Sequence, residues 1–167
     1  MSRRRIVRLI AAKDLRIERR SRVMTNQVLP FAAVTMVMFA FALDAKGAPG
    51  DNEEASTVLE LVAPGLVWLA TLFSLLVLVQ RAFAVESDDG ALDALRVAGV
   101  DPVAIYWGKS LALAAQLAVL EVLLLVTAVF LYGAEVPLGG VALLAVTLVL
   151  ATTGLACVGT LYGGLTA

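Results

Sequence analysis

The chain has 167 residues, 60% hydrophobic and 16% charged, with a mean hydropathy of +0.91, more apolar surface than a water-soluble core of this size absorbs. It contains no histidine and a single cysteine, Cys157, so a Cys/His zinc site, a disulfide framework and histidine-based catalysis within the chain are excluded. Thirteen basic against fourteen acidic residues leave a net charge of -1, which removes the electrostatic case for nucleic-acid binding and leaves a membrane protein.

Nine of the thirteen basic residues lie between Arg3 and Arg22, eight arginines and Lys13, with only Asp14 and Glu18 among them. The first apolar run begins near Val28, too late for a cleaved signal, so residues 1–22 are read as a retained cytoplasmic segment. Ile6, Leu9, Ile10 and Ile17 follow helical spacing, while Arg4, Arg5, Arg8, Arg16, Arg19 and Arg20 spread over the remaining surface. This suits an interfacial helix on the inner leaflet, each basic head contributing about 1 kcal/mol near an anionic surface. Lys13 and Asp14 interrupt the apolar stripe, so a second reading, in which the block only sets topology, stays open.

Residues 23–167 are predicted to be an all-helical polytopic bundle with four spans, at about 23–43, 61–79, 102–131 and 136–165. The first is barely long enough for a ~30 Å hydrocarbon core and recruits Thr25, Asn26 and Gln27. The acidic stretch from Asp44 to Glu60, with Gly47, Pro49 and Gly50, reads as an irregular external loop. The second span carries no charge, the third is long enough to protrude or tilt, and Tyr132 to Glu135 falls outside again. Both ends of the chain and residues 80–101 are then cytoplasmic.

Residues 80–101 have too much pattern for a plain linker. Ser87 or Asp88 can cap a short helix, Leu92 and Leu95 give it an apolar edge, and Gly99 suits its stop. Asp101-Pro102 then supplies an N-cap and a first-turn proline for the third span. Such a helix either docks on a soluble partner and passes its motion to both spans, or merely closes the turn at the interface.

Lys109 lies two turns into the third span, close enough to the surface to snorkel and anchor the helix. Glu121 is 12 residues further along, about 18 Å deeper by helical rise, and should not face lipid. It shares a face with Ser110, Ala114, Leu117, Leu125 and Ala128, and either lines a pathway or makes a protonated or hydrogen-bonded contact between helices. Gln116, on the face of Lys109, is expected to bond across helices. Thr152, Ala156, Gly159 and Gly163 form a small-residue stripe that predicts tight packing against another helix or subunit. Trp107 suits the cytoplasmic interfacial belt, and Trp68 the bundle interior.

The series Arg81, Phe83, Glu86, Asp88, Asp89, Gly90, Leu92, Leu95, Pro102 and Lys109 resembles the CcmB family, the membrane subunit of the ABC transporter of cytochrome c maturation known as the haem exporter. Lys13 to Arg22 and the Pro30-Phe31 start of the first span are similar to its N-terminus, as is Ala63-Pro64-Gly65 ahead of Trp68. Gly154 to Thr160 resembles its fourth span, so the likeness runs along essentially the whole chain. Gln80 stands where the family has a glutamate, and the third span has Leu113, Ala114 and Leu120 where a histidine, aromatic and proline pattern is usual.

The resemblance implies an ABC-2-type exporter permease-like bundle of six spans, the last two absent here or carried on another polypeptide. It implies a non-catalytic subunit in the cell membrane that couples ATP hydrolysis by a CcmA-like ATPase to haem export or release of a haem chaperone. Arg81, Glu86, Asp88, Asp89, Gly90, Leu92 and Leu95 then form the ATPase-coupling element. A CcmC-like membrane protein, a CcmE-like chaperone, lipids and further copies of the subunit are the implied partners, and haem is the implied ligand, handled but not covalently bound. No Gly-x-x-x-x-Gly-Lys loop is present, so ATP is expected on another chain. Two rival readings are a non-transporting scaffold for haem-handling proteins and an ion or proton carrier built on Glu121. No serine, acid and base cluster suggests an intramembrane hydrolase.

Overall fold

The computed structural model describes residues 2–44, 52–88, 94, 97–134 and 138–166, and among these every regular element is helical. Four helices are long and apolar enough to cross a membrane, at Met24–Leu43, Leu61–Phe83, Pro102–Tyr132 and Val141–Leu165.

Helix α1 spans Arg3–Ser21, with Arg19 and Arg20 in its last turn, where the helix dipole favours cations. It stops at Arg22, whose φ of 53° is left-handed and whose N–H donates to Glu18 O. The Glu18 side chain then turns back and accepts from Met24 N at 2.6 Å, tying the corner to the first span. A π-helical turn, Met24–Val28, precedes α2 (Leu29–Asp44). Pro30 accounts for it: it has no N–H to offer the carbonyl of Asn26, and its ring crowds that carbonyl, so a widened turn relieves both.

Helix α3 runs unbroken from Asn52 to Asp88, 37 residues and about 55 Å, so it overhangs a bilayer at both ends. The sequence expectation of an irregular loop up to Glu60 is therefore corrected: residues 52–60 are the first turns of α3. The expected helix start at Ser87 or Asp88 is corrected too. Between Leu61 and Asp88 only Pro64 and Gly65 could break a helix, both lie near its start, and the next glycine is Gly90, so Glu86, Ser87 and Asp88 simply extend the second span.

Helix α4 (Pro102–Tyr132) starts as expected: Asp101 Oδ1 accepts from Val103 N at 3.0 Å, and Pro102 occupies the first turn. It ends at Gly133, which adopts φ 65°. A short 3-10 turn, Leu138–Gly140, leads into α5 (Val141–Thr166).

Helix α4 is the centre of the bundle, and α1, α2, α3 and α5 all pack on it. Leu113, Leu117, Leu120, Leu124 and Ala128 of α4 meet Val28 of the π-helical turn, Ala32 and Met36 of α2, Val67, Leu75, Leu78 and Val79 of α3, and Ala156 of α5 in one cluster. Leu143, Val146, Val149, Leu150, Val158 and Leu161 of α5 point away from it. Lipid is as apolar as leucine, so such a bundle is held by close packing of small residues and by interhelical hydrogen bonds, and both are present. Gly159 lies where a Cβ would come within 3.0 Å of Val79 Cγ2 and 3.1 Å of Leu75 Cδ1. Tyr132 Oη donates to Met36 O at 2.7 Å, joining the far end of α4 to α2.

Candidate functional site

At the end of the bundle that carries α1, four elements converge on Phe83 and Lys109. Phe83, near the end of the second span, is buried with its ring against the backbone of Gly163 in α5, where any added Cβ would overlap the ring. Lys109 Nζ lies 4.6 Å from the ring centroid and 3.7 Å from Asp14 Oδ2 in α1, and the lysine is only 6% exposed. A cation removed from water needs such compensation, here a carboxylate and the negative face of a π system. The snorkelling expectation for Lys109 is thereby corrected: the side chain stays inside, because Asp14 brings the opposite charge to it.

Helix α1 reaches Lys109 by lying along the first turns of α4. Ile10 and Ala11 are buried there, and Gly108 makes the crossing possible, since a Cβ on it would fall 2.7 Å from Ile10 Cβ. At the start of α4 the guanidinium of Arg3 contacts Asp101 Oδ2 through Nε and Nη2, both at 2.8 Å. This pair is largely exposed, so it orients more than it stabilises. Asp14, read from sequence as an interruption of the apolar stripe, is thus the residue that faces the bundle, and α1 is docked on protein along its buried face.

Other sequence-singled residues lie around this junction. Arg81 is exposed on α3 and, with Gln116, Asp14, Glu18, Ser21 and Leu78, lines a cleft of about 130 Å³ between α1, α3 and α4. Glu86 and Asp88 occupy the last turns of α3, whereas Asp89, Gly90, Leu92 and Leu95 lie outside the described residues. Immediately before α4, Ala98 N donates to Ala94 O, a helical bond, and Gly99 follows with φ 69°. Of residues 80–101, those up to Asp88 continue α3 past Phe83, and Asp101 at the start of α4 lies beside Arg3.

A second polar group lies deeper. Glu121 is 3% exposed, and its Oε2 is 2.5 Å from Thr152 Oγ1 of α5, while Oε1 has no hydrogen-bond partner among the described residues. Thr152, Ala156, Gly159 and Gly163 all face inward, so the small-residue stripe packs on α3 and α4 of the same chain. Gly108, Phe83, Asp14 and Tyr132 had no assigned contacts from sequence. The Gly108-Lys109 pair next to a docked arginine-rich helix is the signal that could have found the first three.

Comparison with known proteins agrees with this arrangement in extent. The family model described as CcmB protein matches residues 5–167. The heme exporter protein B of Rhodobacter capsulatus is 28% identical over 160 residues, which cover 96% of this chain and 68% of that protein. No solved structure matches. A match that takes in α1, all four spans and the junction between them shows that the chain belongs to the CcmB family.

Proposed function

We propose that this protein is the membrane subunit of a haem-export ABC complex, and that a separate ATPase docks on the residues between α3 and α4. Family membership and the similarity to a heme exporter protein B support the class. The observation that carries the coupling is the junction of Phe83, Lys109 and Asp14: both helices that bracket the docking segment are clamped there to α1 and α5, so a displacement at Glu86 to Asp101 is passed to these four helices together. The arginine-rich composition of α1 supports a cytoplasmic position for this end, where ATP is available.

In this reading Arg81, Glu86, Asp88, Asp89, Gly90, Leu92 and Leu95 meet the ATPase, and CcmC-like and CcmE-like proteins receive or carry the haem. The chain has no histidine, so the usual imidazole ligands of haem iron come from partners, and this subunit supplies an apolar path and a moving wall. Reversing both charges, Asp88→Lys with Asp89→Lys, should abolish stimulation of the co-purified ATPase while the subunit still inserts and folds. Undiminished stimulation in that variant would remove the docking assignment.

A further inference from the structure

Thr152 has one hydroxyl hydrogen to give. Its Oγ1 lies 2.6 Å from Leu148 O, a carbonyl that only accepts, and 2.5 Å from Glu121 Oε2. Thr71, Thr147, Thr153 and Thr160 each donate to the carbonyl four residues back at 2.6 to 2.9 Å, and Thr152 does the same. Its hydrogen is then committed. A carboxylate could be served only by turning that hydrogen away from Leu148 O, whereas a protonated Glu121 supplies a hydrogen of its own and satisfies both contacts at once.

The surroundings agree. No charged residue occurs in Met24–Leu43 or Val141–Leu165, Leu61–Phe83 holds only Arg81, and α4 has besides Glu121 only Lys109, about 18 Å back along the helix and paired with Asp14. The remaining titratable groups of the spans are Tyr106, Tyr132, Tyr162 and Cys157, and Tyr132 and Tyr106 are bonded to Met36 O and Cys157 O. None of them offers the carboxyl a counter-charge. Oε1, buried and without a partner among the described residues, is tolerable on a neutral acid and far more costly on an anion.

We propose that Glu121 is a proton-binding site in the seam between α4 and α5, and that proton occupancy holds α5 closed on α4. When the acid gives its proton to water entering the seam, the Thr152 hydroxyl is the one donor beside the carboxylate among the described residues and Oε1 still has none, so the anion draws water between α4 and α5 and the seam stays open until a proton returns. The idea goes beyond the transport reading and does not depend on it, since it concerns the chain without any ATPase.

Infrared spectroscopy of the full chain in lipid vesicles tests the proton directly. At neutral pH a protonated-carboxyl C=O stretching band is expected, absent from Glu121→Gln and displaced in Thr152→Val. Lack of any band that Glu121→Gln removes overturns the proposal. The opening is read from Cys157, the only thiol, half-buried on α5. The Gln side chain donates to Thr152 as the neutral acid does, so Glu121→Gln keeps the seam closed at every pH. The alkylation rate of Cys157 in the unmodified chain, divided by that in Glu121→Gln, should rise severalfold as pH is raised, the thiol's own ionisation cancelling in the ratio. A ratio flat over the whole range in which both proteins stay folded also overturns it.

Discussion

Lys109 carries a charge into a place where 6% of the residue is exposed, with Asp14 on one side and the Phe83 ring on the other. Removing one member of such a pair costs more than removing both, because the survivor stays buried. Asp14→Asn should therefore destabilise the folded protein by about 1–3 kcal/mol, the usual cost of stranding a buried polar group. Lys109→Met should cost less, since the thioether lies against Phe83 and Asp14 still has Lys13 at 3.2 Å. Unfolding in detergent of both single variants and the double variant checks this. An Asp14→Asn cost that is unchanged when Lys109 is already Met would show that the two do not interact. The pair was not legible in the sequence, because amphipathicity is judged against solvent and lipid alone: Asp14 looks like a defect until the helix it docks on is known. Glu121 was legible as buried, since the insertion cost of an acid is a local quantity, but its partner Thr152 was assigned only to packing.

Helix ends explain the success and failure of the element boundaries. Asp101-Pro102 and Gly133 mark α4 in one dimension, because an N-cap, a first-turn proline and a left-handed glycine act within a turn of the residues that carry them. The overhangs of α3 were not legible, because hydropathy falls where the bilayer ends whether or not the helix does. Docking of α1 on α4 depends on Gly108, a single missing side chain at the crossing. Gly108→Leu should force the helices apart, with an overpacking cost of about 1–3 kcal/mol on the docked state. Limited trypsin digestion of the membrane-embedded protein gives the readout, as α1 is rich in arginine: cleavage between Arg8 and Arg20 should accelerate in Gly108→Leu and return toward the original rate when Ile10→Ala makes room. Equal cleavage in all three proteins would mean that α1 is not held by this crossing.

The contacts also sort the whole molecule into two ends. Arg3 meets Asp101, Asp14 meets Lys109, and Phe83 meets Gly163, so α1, the last turns of α3, the start of α4 and the end of α5 share one end, while Leu138–Gly140 lies at the other. Four spans connected in this way require an even crossing number between Arg22 and Gly164, whichever side faces the cytoplasm. We propose the cytoplasm for the end that carries the arginine block, following the positive-inside bias. In a Cys157→Ser background, single cysteines at Leu9, Val97 and Leu165, all exposed, should resist a membrane-impermeant thiol reagent added to intact cells, and Gly139→Cys should react. Inverted vesicles should reverse the pattern. Labelling of Val97→Cys from outside would place the α3–α4 connection beyond reach of any cytoplasmic ATPase and end the coupling proposal, whereas a split between Leu9 and Leu165 would mean that one of the four helices does not cross.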